Sequence, residues 1–264
     1  MLKRTIVVKI GGSTLGSHDT TLEDLVELQK QGKALVVVHG GGKVTTEWLT
    51  RLGIPTSFVN GLRVTDAETL KVVAASLGGL VNKELVVAIQ ALGGKAVGLS
   101  GCDGNLLWAC VKNPELGYVG EIVAVDPTPL KLLLDAGYMP VVAPISFGSA
   151  DGKIVLLNVN GDTAAGEIAA ALAAEKLIFL TDVVGIYDGS GKVFPKLSRS
   201  EAKNMLTSGI ASGGMVPKIE ASLKALTTTK VVRIIDGRAP HALLQEIVGK
   251  TRQAKSRGTT IVPK

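Results

Sequence analysis

Six short runs of Val, Ile, Leu and Ala recur along this chain, at residues 6–8, 34–38, 96–99, 140–144, 177–180 and 231–235, and longer stretches with helical spacing of apolar residues lie between them. Continuous apolar runs of strand length, rather than alternating ones, fit strands buried on both faces. The helical spacing falls at residues 22–29, 44–52, 67–92, 128–135, 163–175 and 219–226. Strands and helices in that order connect by parallel crossovers. The expected fold is therefore α/β, a three-layer α/β/α sandwich around a central, mostly parallel sheet. Only 3% of residues are aromatic while 32 are glycine, which suits helices packed closely on strands joined by tight turns.

Between residues 105 and 125 the pattern shortens into Leu106-Leu107-Trp108-Ala109-Cys110-Val111 and Val119-Gly120-Glu121-Ile122-Val123-Ala124-Val125, split by Asn113-Pro114-Glu115. That reads as an antiparallel hairpin. Residues 164–175 contain seven alanines and form a strong helix, with Asp162 in an N-cap position before it. A boundary after this helix divides the chain into an N-terminal lobe, 1–175, and a C-terminal lobe, 176–264.

The formal charge of +6 is spread thinly, and without aromatic stacking residues it favours small anions over nucleic acid. Two cysteines, Cys102 and Cys110, make no disulfide framework and no CxxC pair, so a reducing cytoplasm is the expected compartment. No signal peptide and no apolar run of membrane-spanning length is read in the sequence, so no membrane partner is expected. His18, His39 and His241 are scattered and no Cys/His cluster has metal-ligand spacing, so no protein-held metal is expected. Ser13, Ser100 and Ser146 have no histidine partner in a recognisable motif, which removes Ser-His hydrolase chemistry.

What remains is phosphate chemistry. Lys9 ends a buried strand and is followed by Gly11-Gly12, where backbone N–H groups can face an anion beside a compact positive charge. His39-Gly40-Gly41-Gly42-Lys43 joins a strand to a helix, so its glycine amides are expected to be unpaired at a helix N-terminus. Neither GxxxxGK[ST] nor GxGxxG is present, so both familiar nucleotide loops are excluded. Arg63, in Asn60-Gly61-Leu62-Arg63-Val64-Thr65-Asp66, offers a fork for a carboxylate or a pairing with Asp66. In Asn158-Val159-Asn160-Gly161-Asp162 two amides and a carboxylate can converge. The segment from Asp182 to Tyr187 follows a strand where α/β sheets bind nucleotides, and Gly213-Gly214-Met215-Val216-Pro217-Lys218 is a second glycine loop ending in lysine before a helix.

Taken together with Val81-Asn82-Lys83-Glu84-Leu85, these motifs resemble, in order and over almost the whole chain, the N-acetylglutamate kinase family of the amino acid kinase superfamily. The resemblance implies phosphorylation of the side-chain carboxylate of N-acetyl-L-glutamate by ATP in arginine biosynthesis, with Mg2+ arriving on the ATP phosphates. It implies that Lys9 and Lys218 stabilise the migrating phosphoryl group and that Asp162 orients both. Gly41, Gly42, Arg63, Asn158 and Asn160 would hold the acetylated amino acid. Gly11 and Gly12 would face phosphate oxygens, and Asp182, Val183, Gly185, Tyr187, Ile210, Ala211 and Ser212 would line the nucleotide pocket. Members inhibited by arginine carry an extra N-terminal helix that builds a hexamer, and only four residues precede Thr5, so a homodimer is expected. Cys102 stands where the family commonly has Lys, and residues 250–257 are unusually basic. Two rivals share these motifs: a kinase for aminoadipate held on an acidic carrier protein, in lysine biosynthesis, and a non-catalytic amino-acid or nucleotide sensor.

Overall fold

The structure is a computed structural model and describes residues 4–11, 20–150, 152–249 and 258–264. Gly12 and the basic segment 250–257 lie outside the described residues. The chain begins with β1 (Thr5–Ile10), α1 (Thr21–Lys30), β2 (Ala34–His39) and α2 (Gly42–Arg51), then a small hairpin of β3 (Phe58–Val59) and β4 (Leu62–Arg63). A continuous helix follows, made of α3 (Ala67–Val73), a π-helical stretch Ala74–Val81, and α4 (Asn82–Ala91). Next come β5 (Ala96–Ser100), the hairpin β6 (Leu107–Val111) and β7 (Gly120–Val125), α5 (Thr128–Asp135), β8 (Met139–Ala143) and a second hairpin, β9 (Ile145–Ala150) with β10 (Lys153–Asn158). The remainder is α6 (Gly161–Ala171), β11 (Lys176–Thr181), β12 (Lys196–Ser198), α7 (Arg199–Thr207), α8 (Met215–Ala225), β13 (Val231–Asp236), α9 (Ala242–Val248) and β14 (Gly258–Val262).

Eight strands form one sheet in the order β12-β14-β13-β11-β1-β2-β8-β5, parallel throughout except where β14 runs antiparallel to β13. Alternate residues of the central strands feed two cores. Val7, Val36, Leu177, Phe179, Val232 and Ile234 face α5, α6, α7 and α8, whereas Ile6, Val8, Leu35, Val37, Ile178 and Leu180 face α1, α4 and α9. Both faces are covered, which is why these strands read as unbroken apolar runs. The expected three-layer α/β/α arrangement is the one observed. A second sheet, β10-β9-β6-β7, contains the expected β6–β7 hairpin and a β9–β10 hairpin absent from the expected strands.

Two expectations need correction. Asp162 is not the N-cap of α6; Asn160 is, accepting from the Asp162 and Thr163 amides, and Asp162 lies inside the first turn with its carboxylate elsewhere. That helix stops at Ala171 rather than 175, because Ala173 takes a positive φ of 45° and turns the chain into β11. The helix spanning Ala67–Ala91 runs 25 residues and contains an 18-residue window of mean hydropathy 1.7, long and apolar enough to cross a membrane by length and composition alone. Here it lies on the protein and buries Val73, Leu77, Val81, Leu85 and Ile89.

The contact between α6 and α8 matters most for the site. At Gly166 an added Cβ would stand 2.6 Å from the Ala221 carbonyl oxygen, so only glycine lets the two backbones approach this closely. That approach brings together the N-terminal turns of both helices, one carrying Asp162 and the other Lys218.

Candidate active site

Lys9 lies on β1 on the same face as Val7, and so points toward α6 near the carboxyl end of the sheet. Its ammonium lies 2.8 Å from Asp162 Oδ1, and Lys218 donates to Asp162 Oδ2 at 3.0 Å and to the Gly214 carbonyl at 3.2 Å. One buried carboxylate thus binds two cations from opposite ends of the chain. Burial by itself would raise the Asp162 carboxyl, but the Lys9 and Lys218 charges outweigh it and hold the group below the ordinary carboxylate range. The cluster keeps a net positive charge next to a cavity, a ready position for an anion.

That cavity, about 240 Å³, is lined by Lys9, Gly41, Gly42, Arg63, Asn158, Asn160 and Asp162, so the residues expected to hold the acetylated amino acid and two of the three expected to act on it share one space. Gly41 has φ of 151°, a conformation that favours glycine, and it packs on Leu77, whose Cδ2 lies 2.6 Å from where a Cβ would stand. The following residues open α2, whose first-turn amides have no intrahelical acceptor. Not all the glycine amides are unpaired as expected: Gly40 donates to Ile10 O at 2.9 Å, and Gly11 to Leu180 O at 3.3 Å.

Arg63 is buried and does not pair with Asp66, which instead caps α3 through the Thr69 amide. Its Nη2 donates to Thr46 Oγ1 at 2.7 Å and to Gly42 O at 3.1 Å, and Phe58 lies under the guanidinium at 4.7 Å. Nη1 is buried without a hydrogen-bond partner. The side chain lines the cavity, and a charged donor without a partner there suits an acidic ligand. Asn158 donates to Thr65 Oγ1 at 3.0 Å, a residue the sequence reading quoted without a role.

A larger space of about 980 Å³ adjoins the first, sharing Gly61, Leu62, Val119 and Asn160, and extends to Ser212, Gly213 and Pro217 beside Lys218. Ser212 is the expected nucleotide residue that lines it. Asp182 and Val183 follow β11, where the Thr181 hydroxyl donates to Val183 O at 2.7 Å. Gly185 packs on β14, since a Cβ there would lie 2.7 Å from Thr259 Oγ1. Tyr187 and Ile210 are exposed, and Ala211 is tied to Met205 O. These residues line neither cavity. Arg238, absent from the sequence reading, pairs in bidentate fashion with Asp236, whose hydrogen bond and charge raise its pKa. Among the described residues no group of three or more His, Cys, Asp or Glu side chains could hold a metal ion.

An open parallel sheet that gathers glycine turns, helix N-termini and two lysines at the carboxyl ends of its strands is an α/β scaffold for handling phosphate. Residues 4–236 match the model of the Amino acid kinase family, and the chain belongs to that family. It is 46% identical over 245 residues to an acetylglutamate kinase of Dehalococcoides mccartyi strain BAV1, covering 92% of this chain and 90% of that one. It is 48% identical over 246 residues to an acetylglutamate kinase of Cereibacter sphaeroides strain KD131, covering 92% and 83%. The crystal structure of smu.665 from Streptococcus mutans UA159 superposes with a TM-score of 0.82 at 27% identity over 99% of both chains.

Proposed function

We propose that this protein transfers the γ-phosphoryl group of ATP to the side-chain carboxylate of N-acetyl-L-glutamate, yielding N-acetyl-L-glutamyl 5-phosphate and ADP, in arginine biosynthesis. The observation that carries the reading is the Lys9–Asp162–Lys218 cluster on the wall of a cavity that also holds Arg63 and the Gly41–Gly42 turn. The names of relatives at close to half identity agree with it.

The nucleophile needs no general base, because a carboxylate with a reference pKa of about 4 is already ionised at neutral pH. The obstacle is repulsion among anions, and catalysis reduces to alignment and charge neutralisation. Lys9 and Lys218 would face the migrating phosphoryl group, with Asp162 fixing both ammonium groups. Arg63, through its open Nη1, would bind the α-carboxylate, while Asn158 and the Gly41 and Gly42 amides would hold the rest of the amino acid and Asn160 would close the site. Gly11, Gly12, Asp182, Val183, Gly185, Tyr187 and residues 210–212 would receive the nucleotide. Since Asp162 is occupied by two lysines, Mg2+ would be held through the ATP phosphates, where it neutralises charge.

In this reading residues 1–175 bind the amino acid and residues 176–264 the nucleotide, in a cytoplasmic homodimer whose mass sedimentation would establish. Release of ADP, assayed in parallel with N-acetylglutamate, glutamate, aspartate and aminoadipate, tests the reaction. Turnover restricted to N-acetylglutamate is expected. A preference for an aminoadipate substrate would move the protein to the rival kinase, and no turnover at all would favour the sensor.

A further inference from the structure

Beneath the glycine turn runs a buried polar chain that the proposed reaction leaves unused. His39, the last residue of β2, is fully enclosed; its Nδ1 lies 2.7 Å from the Gly40 carbonyl oxygen and its Nε2 3.1 Å from Asn82 Nδ2. A carbonyl only accepts, so Nδ1 carries the proton. Asn82 Nδ2 also lies 2.9 Å from Val141 O and 3.3 Å from Leu99 O, so its two hydrogens serve these carbonyls and the ring nitrogen between them, while its Oδ1 accepts from Lys83 at 3.0 Å. Those partners fix the amide with its NH2 toward the ring, so Nε2 is a bare acceptor and the imidazole is neutral.

Two features of the fold exist around this contact. Asn82 reaches the β5 and β8 carbonyls only because residue 98 lacks a side chain: a Cβ on Gly98 would stand 2.1 Å from Asn82 Oδ1. Asn82 also follows directly on the π-helical stretch, whose Leu77 and Val81 form the floor under Gly41. A π stretch changes the angular register of a helix, and here it lets Leu77, Val81 and Asn82 all meet the same turn.

We propose that His39 is a positioning residue: as an Nδ1–H imidazole anchored by Asn82, it holds the Gly40 carbonyl inward and thereby sets the Gly41 and Gly42 amides toward the substrate cavity. The catalytic consequence rests on the function proposed above; the loop geometry does not.

The test compares wild type with His39→Asn, His39→Gln and Gly98→Ala. Asparagine can place an N–H where Nδ1 stood, whereas glutamine places its amide at the Nε2 position and leaves the Gly40 carbonyl without a donor. In wild type, 15N resonances of His39 should report the neutral Nδ1–H tautomer from about pH 8 to about pH 5.5. Amide exchange at Gly40 and Thr45, the hydrogen-bonded amides of the turn, should quicken about tenfold in His39→Gln and Gly98→Ala, and stay near wild type in His39→Asn, with β11 unchanged in all three. Misplaced donors should lower kcat roughly 10- to 100-fold in His39→Gln, with His39→Asn restoring most of it. An Nε2–H or protonated ring overturns the proposal, as do wild-type exchange and kcat in His39→Gln, or equal acceleration in β11. If wild type phosphorylates none of the carboxylates, the function reading falls, and resonance and exchange still decide the loop geometry.

Discussion

Asp162→Asn isolates the charge that holds the two lysines. The substitution preserves shape and leaves the Asn160 cap in place, but it strands two ammonium groups whose side chains are only 10% and 16% exposed. Removing one partner from a buried pair costs about 3–5 kcal/mol, and the residual access of both lysines to the cavity favours the lower figure. For a chain of this size about 3 kcal/mol corresponds to a fall in Tm of roughly 6–12 °C. The same change should strengthen anion binding, since the site then carries two uncompensated positive charges. Thermal unfolding followed by circular dichroism, with and without a non-hydrolysable ATP analogue, should show the variant melting lower alone and gaining more from the nucleotide than wild type does. Turnover should fall roughly 10- to 100-fold, because the ammonium groups lose their common anchor. A variant that melts within about 2 °C of wild type and keeps its kcat would refute the electrostatic account, since that shift is worth under about 1 kcal/mol.

Lys9→Ala or Lys218→Ala should lower kcat by about 10²- to 10³-fold with smaller changes in KM, because each contact strengthens as charge shifts in the transition state; steady-state kinetics with an unchanged kcat would reject the assignment. Arg63→Ala should raise KM for the amino acid about 10- to 100-fold, the worth of a hydrogen bond to a charged group, and leave KM for ATP alone. Acid should destabilise the protein through His39, whose pKa is lowered to about 4, chiefly by burial against the Gly40 hydrogen bond, with Lys9 and Lys83 adding to the depression. The unfolded chain takes up that proton near pH 6.5 and the folded one does not, so stability is full above the unfolded value and is lost as pH falls toward the folded one, by about 3 kcal/mol in all. Urea midpoints measured from neutral pH downward should slope less in His39→Gln. His241, raised by its hydrogen bond and ion pair with Asp24, acts in the opposite sense, its contribution fading as pH rises.

Much of the frame was legible because its causes are local. The six apolar runs became β1, β2, β5, β8, β11 and β13, and residues 128–135 became α5 with the expected bounds. Other elements carried weaker signals. The capping box that starts α7, Ser198 with Glu201, is a sequence signature that the apolar pattern alone passed over. β14, by contrast, sits between β13 and β12 and antiparallel to the former, a choice made by the sheet and not by five residues of sequence.

The chain by itself determined that its buried strands would need helices on both faces, and that glycine turns beside lysines would collect at the strand ends, since hydrophobic period and glycine's missing Cβ act over a few residues. Only the tertiary structure decided that Lys9 and Lys218 meet on one carboxylate, because that meeting depends on α6 closing against α8 at Gly166. It likewise decided that Asn82 reaches His39 past Gly98. A polar side chain's partner is fixed by whichever backbone the packed core brings within 3 Å or so of it, and residues far apart in sequence carry no local sign of that approach.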